Sequence, residues 1–222
     1  LGAIAADDTN KTDSFLSSGT SWTFAATTAG SDRLMTICTF AYGSGDNLTR
    51  ITYNGATSTI AAKIASDAGG YTFMNYLVAP DTGGHNVVAT HNATIQGFYT
   101  LVTYTGVDQT TPITSSSTAS ANSTTFSPTL TTTVDQSWMY ACGRSPSRGV
   151  TAGASTIVRK TNVTSGDAAW VLDSDGGRST GSNAINWTVS PSQTNYYIVA
   201  AIAPAAGGGA VLTPNQNMIL FE

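Results

Sequence analysis

The chain has 222 residues, of which 41% are apolar and only 10% charged, with 13 acids against 9 bases and a net charge of -4. A typical soluble domain is about 25% charged, so Thr, Ser, Asn and Gly must cover this surface. The weak acidic balance, with no basic run longer than Arg159-Lys160, excludes a nucleic-acid binder. No stretch of about 18 apolar residues occurs, so no membrane insertion is expected.

Strand signals dominate from the start. Trp22 and Phe24 alternate in Ser21 to Ala25, and Arg33 to Tyr42 reads as a long central strand. Leu48 to Tyr53 and Ala56 to Ile64 flank Asn54-Gly55, the strongest short hairpin signal in the chain. Tyr71 to Ala79 ends at Pro80, and His85 to Thr90 and Gln96 to Thr105 follow as two strands. Thr59 to Ala68 offers a weak helical pattern, but Gly69-Gly70 ends it early.

The second half repeats this style. Thr110 to Pro128 is a Ser/Thr-rich connection, expected as an outer polar strand pair or a long crossover rather than a domain boundary. Strands are expected at Ser137 to Gly143, Ser155 to Lys160, Ala168 to Asp173, Ala184 to Val189 and Asn195 to Ala203. About twelve strands at this spacing predict an all-β fold, a two-sheet antiparallel β-sandwich of jelly-roll type. One domain is expected over residues 1–204, with a Gly-rich linker and an apolar tail over 205–222. The tail residues Val211, Leu212, Met218, Ile219, Leu220 and Phe221 are expected to dock on another chain. Folding back as an edge strand is the alternative.

The blocks DRLMTICTFAY, LTRITYNG, MNYLVAPDTGGHNVVATH and LVTYTGVDQTTPI resemble a β-sandwich module of phage structural proteins and bacterial secreted or surface proteins. The resemblance covers Trp22 to Pro112 well and Ser137 to Pro204 only by general pattern. Asn54 stands where relatives carry the first of two glycines. The resemblance implies a stable, exposed module without shared catalytic residues.

Candidate chemistry is sparse. Only His85 and His91 are present, and they lack further ligands at a zinc spacing. Asp7-Asp8, Asp46, Asp67, Asp81, Asp108, Asp167, Asp173 and Asp175 lie in or near expected turns, and Asp173 to Gly177 is the best local candidate for structural calcium. Asp108 is expected to cap its own loop. The only Glu is Glu222, and no G-x-S-x-G, P-loop or dinucleotide fingerprint occurs, so no enzyme and no cofactor are expected. Cys38 and Cys142 are read as buried thiols, with a disulfide as the alternative. Trp170 and Trp187 are the candidates for a ligand platform, against the plainer reading that aromatics fill β cores. Six N-x-[ST] sequons start at Asn10, Asn47, Asn92, Asn122, Asn162 and Asn186.

The expected function is a non-enzymatic phage virion protein, a capsid decoration, tail or fibre-associated subunit. Its partners would be further copies of itself or other virion proteins. The alternatives are a secreted or surface bacterial adhesion or carbohydrate-binding module with a surface glycan as partner, and an extracellular filament subunit.

Overall fold

A computed structural model describes residues 3–7, 11–43, 45–66, 69–146, 149–164 and 167–206. The tail after Ala206, and with it Val211 to Phe221, lies outside the described residues. So do Asp8, Asn10 and Asp67. The first half of the chain supplies β1 (Ala5–Ala6), β2 (Thr12–Thr28), β3 (Leu34–Tyr42), β4 (Leu48–Tyr53), β5 (Ala56–Thr57), β6 (Thr59–Ala65), β7 (Tyr71–Val78) and β8 (Gly83–Thr105). The second half supplies β9 (Ile113–Phe126), β10 (Thr129–Thr132), β11 (Trp138–Ser145), β12 (Val150–Ala152), β13 (Ile157–Thr164), β14 (Asp167–Asp173), β15 (Gly181–Ala184) and β16 (Trp187–Ile202).

Each half builds its own antiparallel sheet, and the two sheets pack face to face. In the first, β2 runs along one side of β8, while β4 and then β3 share the other. β7 continues from β3, and β6 from β7. Ser58 joins β5 to β6 and donates its N–H to the Ile51 carbonyl at 2.8 Å, so this sheet nearly closes into a barrel. The second sheet repeats the plan. β9 runs along one side of β16, and β12 and then β11 share the other. β14 continues from β11, and β13 from β14.

The repeat extends to details. β6 has a register shift between Ile60 and Ala62, and β13 has one between Val158 and Lys160. Just past those bulges Ala62 pairs with Met74, and Lys160 with Val171. Met74 pairs on with Cys38, and Val171 with Cys142. The non-glycine residues with left-handed backbones also fall into matching turns: Asp32 with Gln136, Asn54 with Ser155, Ala79 with Asp175. The chain is thus two copies of one β unit in tandem, and Cys38 and Cys142 hold equivalent places in them.

Three main cores follow from this plan, with a smaller cluster of Phe40, Phe98 and Ala169 beside them. Met35, Ile37, Phe73, Tyr99 and Leu101 fill the inside of the first unit. Met139, Ala141, Trp170, Tyr197 and Val199 fill the second. Alternate residues of the same strands, among them Leu34, Cys38, Val102, Tyr140, Cys142 and Ile198, form the core between the sheets. Strands β3 and β11 are therefore buried on both faces, which explains their continuous apolar runs.

The described residues form sixteen strands, against the expected dozen. His85 to Thr90 and Gln96 to Thr105 prove continuous as β8, and Ala184 to Val189 and Asn195 to Ala203 largely merge into β16. Their polar middles imitate turns. Short β1, β5, β10, β12 and β15 carry too few residues for a periodic signal. The Ser/Thr-rich connection is mostly β9, and Thr59–Ala65 is strand rather than helix.

Candidate functional site

The unit-to-unit contact has two equivalent flanks. On one, β6 of the first unit meets β9 of the second. On the other, β13 of the second unit meets β2 of the first. The bulge places Ala61 at the first flank and Arg159 at the second. Two residues beyond the ladder partners Met74 and Val171 stand Tyr76 and Asp173. One geometry thus presents Ala61 and Tyr76 on one side, and Arg159 and Asp173 on the other.

The second flank is closed by polar bonds. Arg159 Nε donates to Asp173 Oδ2 at 2.7 Å, and its terminal nitrogen pairs with Asp175. Tyr104 Oη donates to the same Asp173 oxygen at 3.1 Å. The Asp175 N–H donates to Asp173 Oδ1 at 2.9 Å. The guanidinium carbon lies 5.6 Å from the centroid of the Trp138 ring. Burial opposes the Arg159 charge, but the bonds to Asp173 and Asp175 prevail and raise its pKa. Burial raises the Asp173 pKa, with Arg159 pulling the other way. Further along, Lys160 Nζ meets Asp13 at 2.6 Å, and Asn162 Nδ2 donates to the Ser14 carbonyl at 2.8 Å.

The first flank keeps a groove of about 300 Å³ between Ile60, Ala61, Tyr76 and the run Ile113 to Ser116. Ile60 is 41% exposed there. The lining offers an aromatic ring, aliphatic groups and the hydroxyls of Thr114, Ser115 and Ser116. It holds no carboxylate, imidazole or thiol. Such a lining suits binding of a neutral, hydroxyl-rich or mixed surface. A second cleft of about 260 Å³ opens beside Phe126, Gly153, Asn186 and Trp187.

The residues singled out by sequence fall elsewhere. Trp170 and Trp187 are 0% and 1% exposed, so neither presents a ring face as a platform. They pack on each other at 5.0 Å between ring centroids, with Phe126 stacked on Trp187 at 5.1 Å. Polar neighbours in sequence suggested exposure, but both side chains point into the second unit's core. Gly143 makes room for this: a Cβ there would lie 2.7 Å from the Trp170 ring and 2.5 Å from the Tyr196 carbonyl. Asp173 and Asp175, the calcium candidates, are the partners of Arg159 instead. Among the described residues no three His, Cys, Asp or Glu side chains gather as a metal site.

Asp108 behaves as its sequence suggests, accepting the N–H groups of Thr110 and Thr111 at 2.7 Å each. Asp46 pairs with Lys63, and Asp81 accepts from Asn54 at 2.8 Å. Asp167 accepts from Arg144 Nε at 2.8 Å, while burial pushes its pKa up to about 6. The 2.8 Å contact to the buried Arg144 guanidinium favours the ionised carboxylate, and burial favours the neutral one. The histidines do not converge on one site. His85 lies against Tyr53 with its Nε2 3.1 Å from the Thr82 carbonyl. His91 is buried, 2.6 Å from Tyr99 Oη, and burial lowers its pKa.

Cys38 and Cys142 are free thiols brought together between the sheets. The groove residues Ala61 and Tyr76 and the counterpart Arg159 were not singled out by sequence. A usable signal was present in Met35-Thr-Ile-Cys38 and Met139-Tyr-Ala-Cys142, an echo that marks equivalent strands. Compared with known proteins, the chain matches no family model, no curated protein and no solved structure.

Proposed function

We propose that this chain is a non-enzymatic structural module that acts by assembly, a phage virion protein of the capsid-decoration, tail or fibre-associated kind. The observation that carries this reading is β9. It is a 14-residue strand at the edge of its sheet without one charge or proline. Its counterpart β2, 17 residues long, carries Asp13 alone. Proteins that stay apart guard long edges with Lys, Pro or tight bulges; β9 and β2 have irregular registers but neither Lys nor Pro, and such edges suit pairing with another chain. The exposed large hydrophobics among the described residues, Ile60, Ile157 and Val163, also lie on edge strands, β6 and β13. The tail residues Val211 to Phe221 would add a second point of attachment. The jelly-roll likeness rests on the face-to-face sheets; the connectivity is tandem, each sheet coming from a continuous half.

Light scattering of the full chain over a concentration series tests this. Association beyond the monomer is expected, and Ser117→Lys with Ser120→Lys should weaken it about tenfold or more. A chain ending at Ala206 measures the tail's share. A full chain that stays monomeric throughout, or lysine variants that associate unchanged, would sink the reading.

The runner-up is a secreted or surface bacterial adhesion or carbohydrate-binding module, favoured by the groove at Tyr76 with its hydroxyl rim. Glycan-array binding abolished by Tyr76→Ala would select it over the virion reading.

A further inference from the structure

The two thiols at the centre of the molecule carry a chemistry that assembly does not use. Cys38 and Cys142 are both 0% exposed and belong to one core between the sheets. Their strands, β3 and β11, meet across that core, and the Cys142 thiol is close enough to help burial push the Cys38 thiol up. Along the same two strands, other counterparts meet as well. Thr36 on β3 lies beside Tyr140 on β11. Phe40 receives the Arg144 guanidinium 4.8 Å from its ring centroid. Each cysteine sits on a strand held by ladder neighbours on both sides, Met74 and Thr100 for Cys38, Val171 and Ile198 for Cys142. The repeat architecture itself brings the thiols together.

We propose that Cys38 and Cys142 are a cross-linking site: they close a disulfide between the two units when the chain folds in an oxidising medium, and stay a dithiol when it folds under reducing conditions. A small-molecule disulfide such as oxidised glutathione is the oxidant. One cysteine sulfur attacks it, forming a mixed disulfide and releasing one small thiol. The other cysteine sulfur then attacks the mixed disulfide, closes the protein S–S bond and releases the second small thiol. The two cysteine protons end on the two released thiols, and the oxidant takes up the two electrons.

Burial sets the timing. In the folded state the oxidant has no path to either sulfur, and burial holds the Cys38 thiol well above its usual range, so thiolate is scarce. Exchange therefore belongs to the open chain. Folding seals whichever state has formed, and the same burial shields the closed bond from reductant.

Refolding the full chain from urea, once in a glutathione redox buffer and once in excess dithiol, tests this. The oxidised arm should yield a monomer lighter by two hydrogens, with no thiol reacting after denaturation and a peptide map joining Cys38 to Cys142. Closing so long a loop should raise its folding equilibrium constant over the dithiol form on the order of a hundredfold. The same buffer added to the already folded dithiol protein should leave both thiols free. Cys38→Ala should refold and give no intramolecular link. A native monomer with two free thiols after oxidative refolding overturns the proposal. So does a linked form less stable than the dithiol, or rapid oxidation of the folded dithiol.

Discussion

The two flanks of the unit-to-unit contact share one backbone plan and differ in chemistry. At β13–β2, Arg159 reaches Asp173 and Asp175, and Lys160 meets Asp13. At β6–β9, the equivalent places hold Ala61 and Tyr76 beside an open groove. An arginine side chain on a bulge fills what an alanine leaves empty. Lys160–Asp13, Tyr104–Asp173 and Asn162–Ser14 tie the units together on that flank, with Arg159 bracing Asp173 from within the second unit, and the other flank has room for something else. Arg144–Asp167 and Arg159–Asp173 join strands within the second unit, and Lys160–Asp13 joins the two units.

The largest test of this contrast is Asp173→Ala. It leaves Arg159 buried with its main partner gone, and should cost about 3–5 kcal/mol in urea denaturation. The equivalent change on the open flank, Tyr76→Ala, removes a half-buried ring and no charge. It should cost about 1–2 kcal/mol. Equal losses at the two positions would erase the contrast.

A smaller effect separates the two inner cores. The first holds Tyr99 against the buried His91, while the second holds the equivalent Tyr197 without a histidine. Burial keeps the folded His91 pKa below its ordinary 6.5. The unfolded chain therefore takes up a proton that the folded chain refuses. The stability from neutral His91 is fully present above pH 6.5 and is lost as pH falls through the folded value. His91→Gln should flatten that part of the stability–pH curve relative to the parent chain. Parallel curves for the two proteins would show that His91 is not responsible.

The smallest effect belongs to Lys160→Ala. The Lys160–Asp13 pair is 29% and 35% exposed, and such pairs contribute about 0.2–1 kcal/mol. A loss as large as that of Asp173→Ala would mean that the outer pair, not the buried one, holds this flank.

Much of the fold was legible locally. Asn54-Gly55 makes its hairpin with both residues in the left-handed region, and Asp108 caps its loop. These features depend on neighbours in sequence. The duplication was less legible because the units share strand pairing more than residue identity: Phe73 in one core is matched by Trp170 in the other. Trp170 and Trp187 misled because a polar flank says nothing about which face of a strand is inward. The bulge positions were invisible, since an extra residue in a ladder shows only once both partners are known.

Native-state hydrogen exchange tests most directly whether two copies of one unit form a single cooperative body. The shared core around Cys38 and Cys142 predicts that slow amides on β3 and on β11 exchange with the same opening free energy. It also predicts that Asp173→Ala lowers both together. Two well-separated values, with one unit's central strand opening while the other holds, would contradict it.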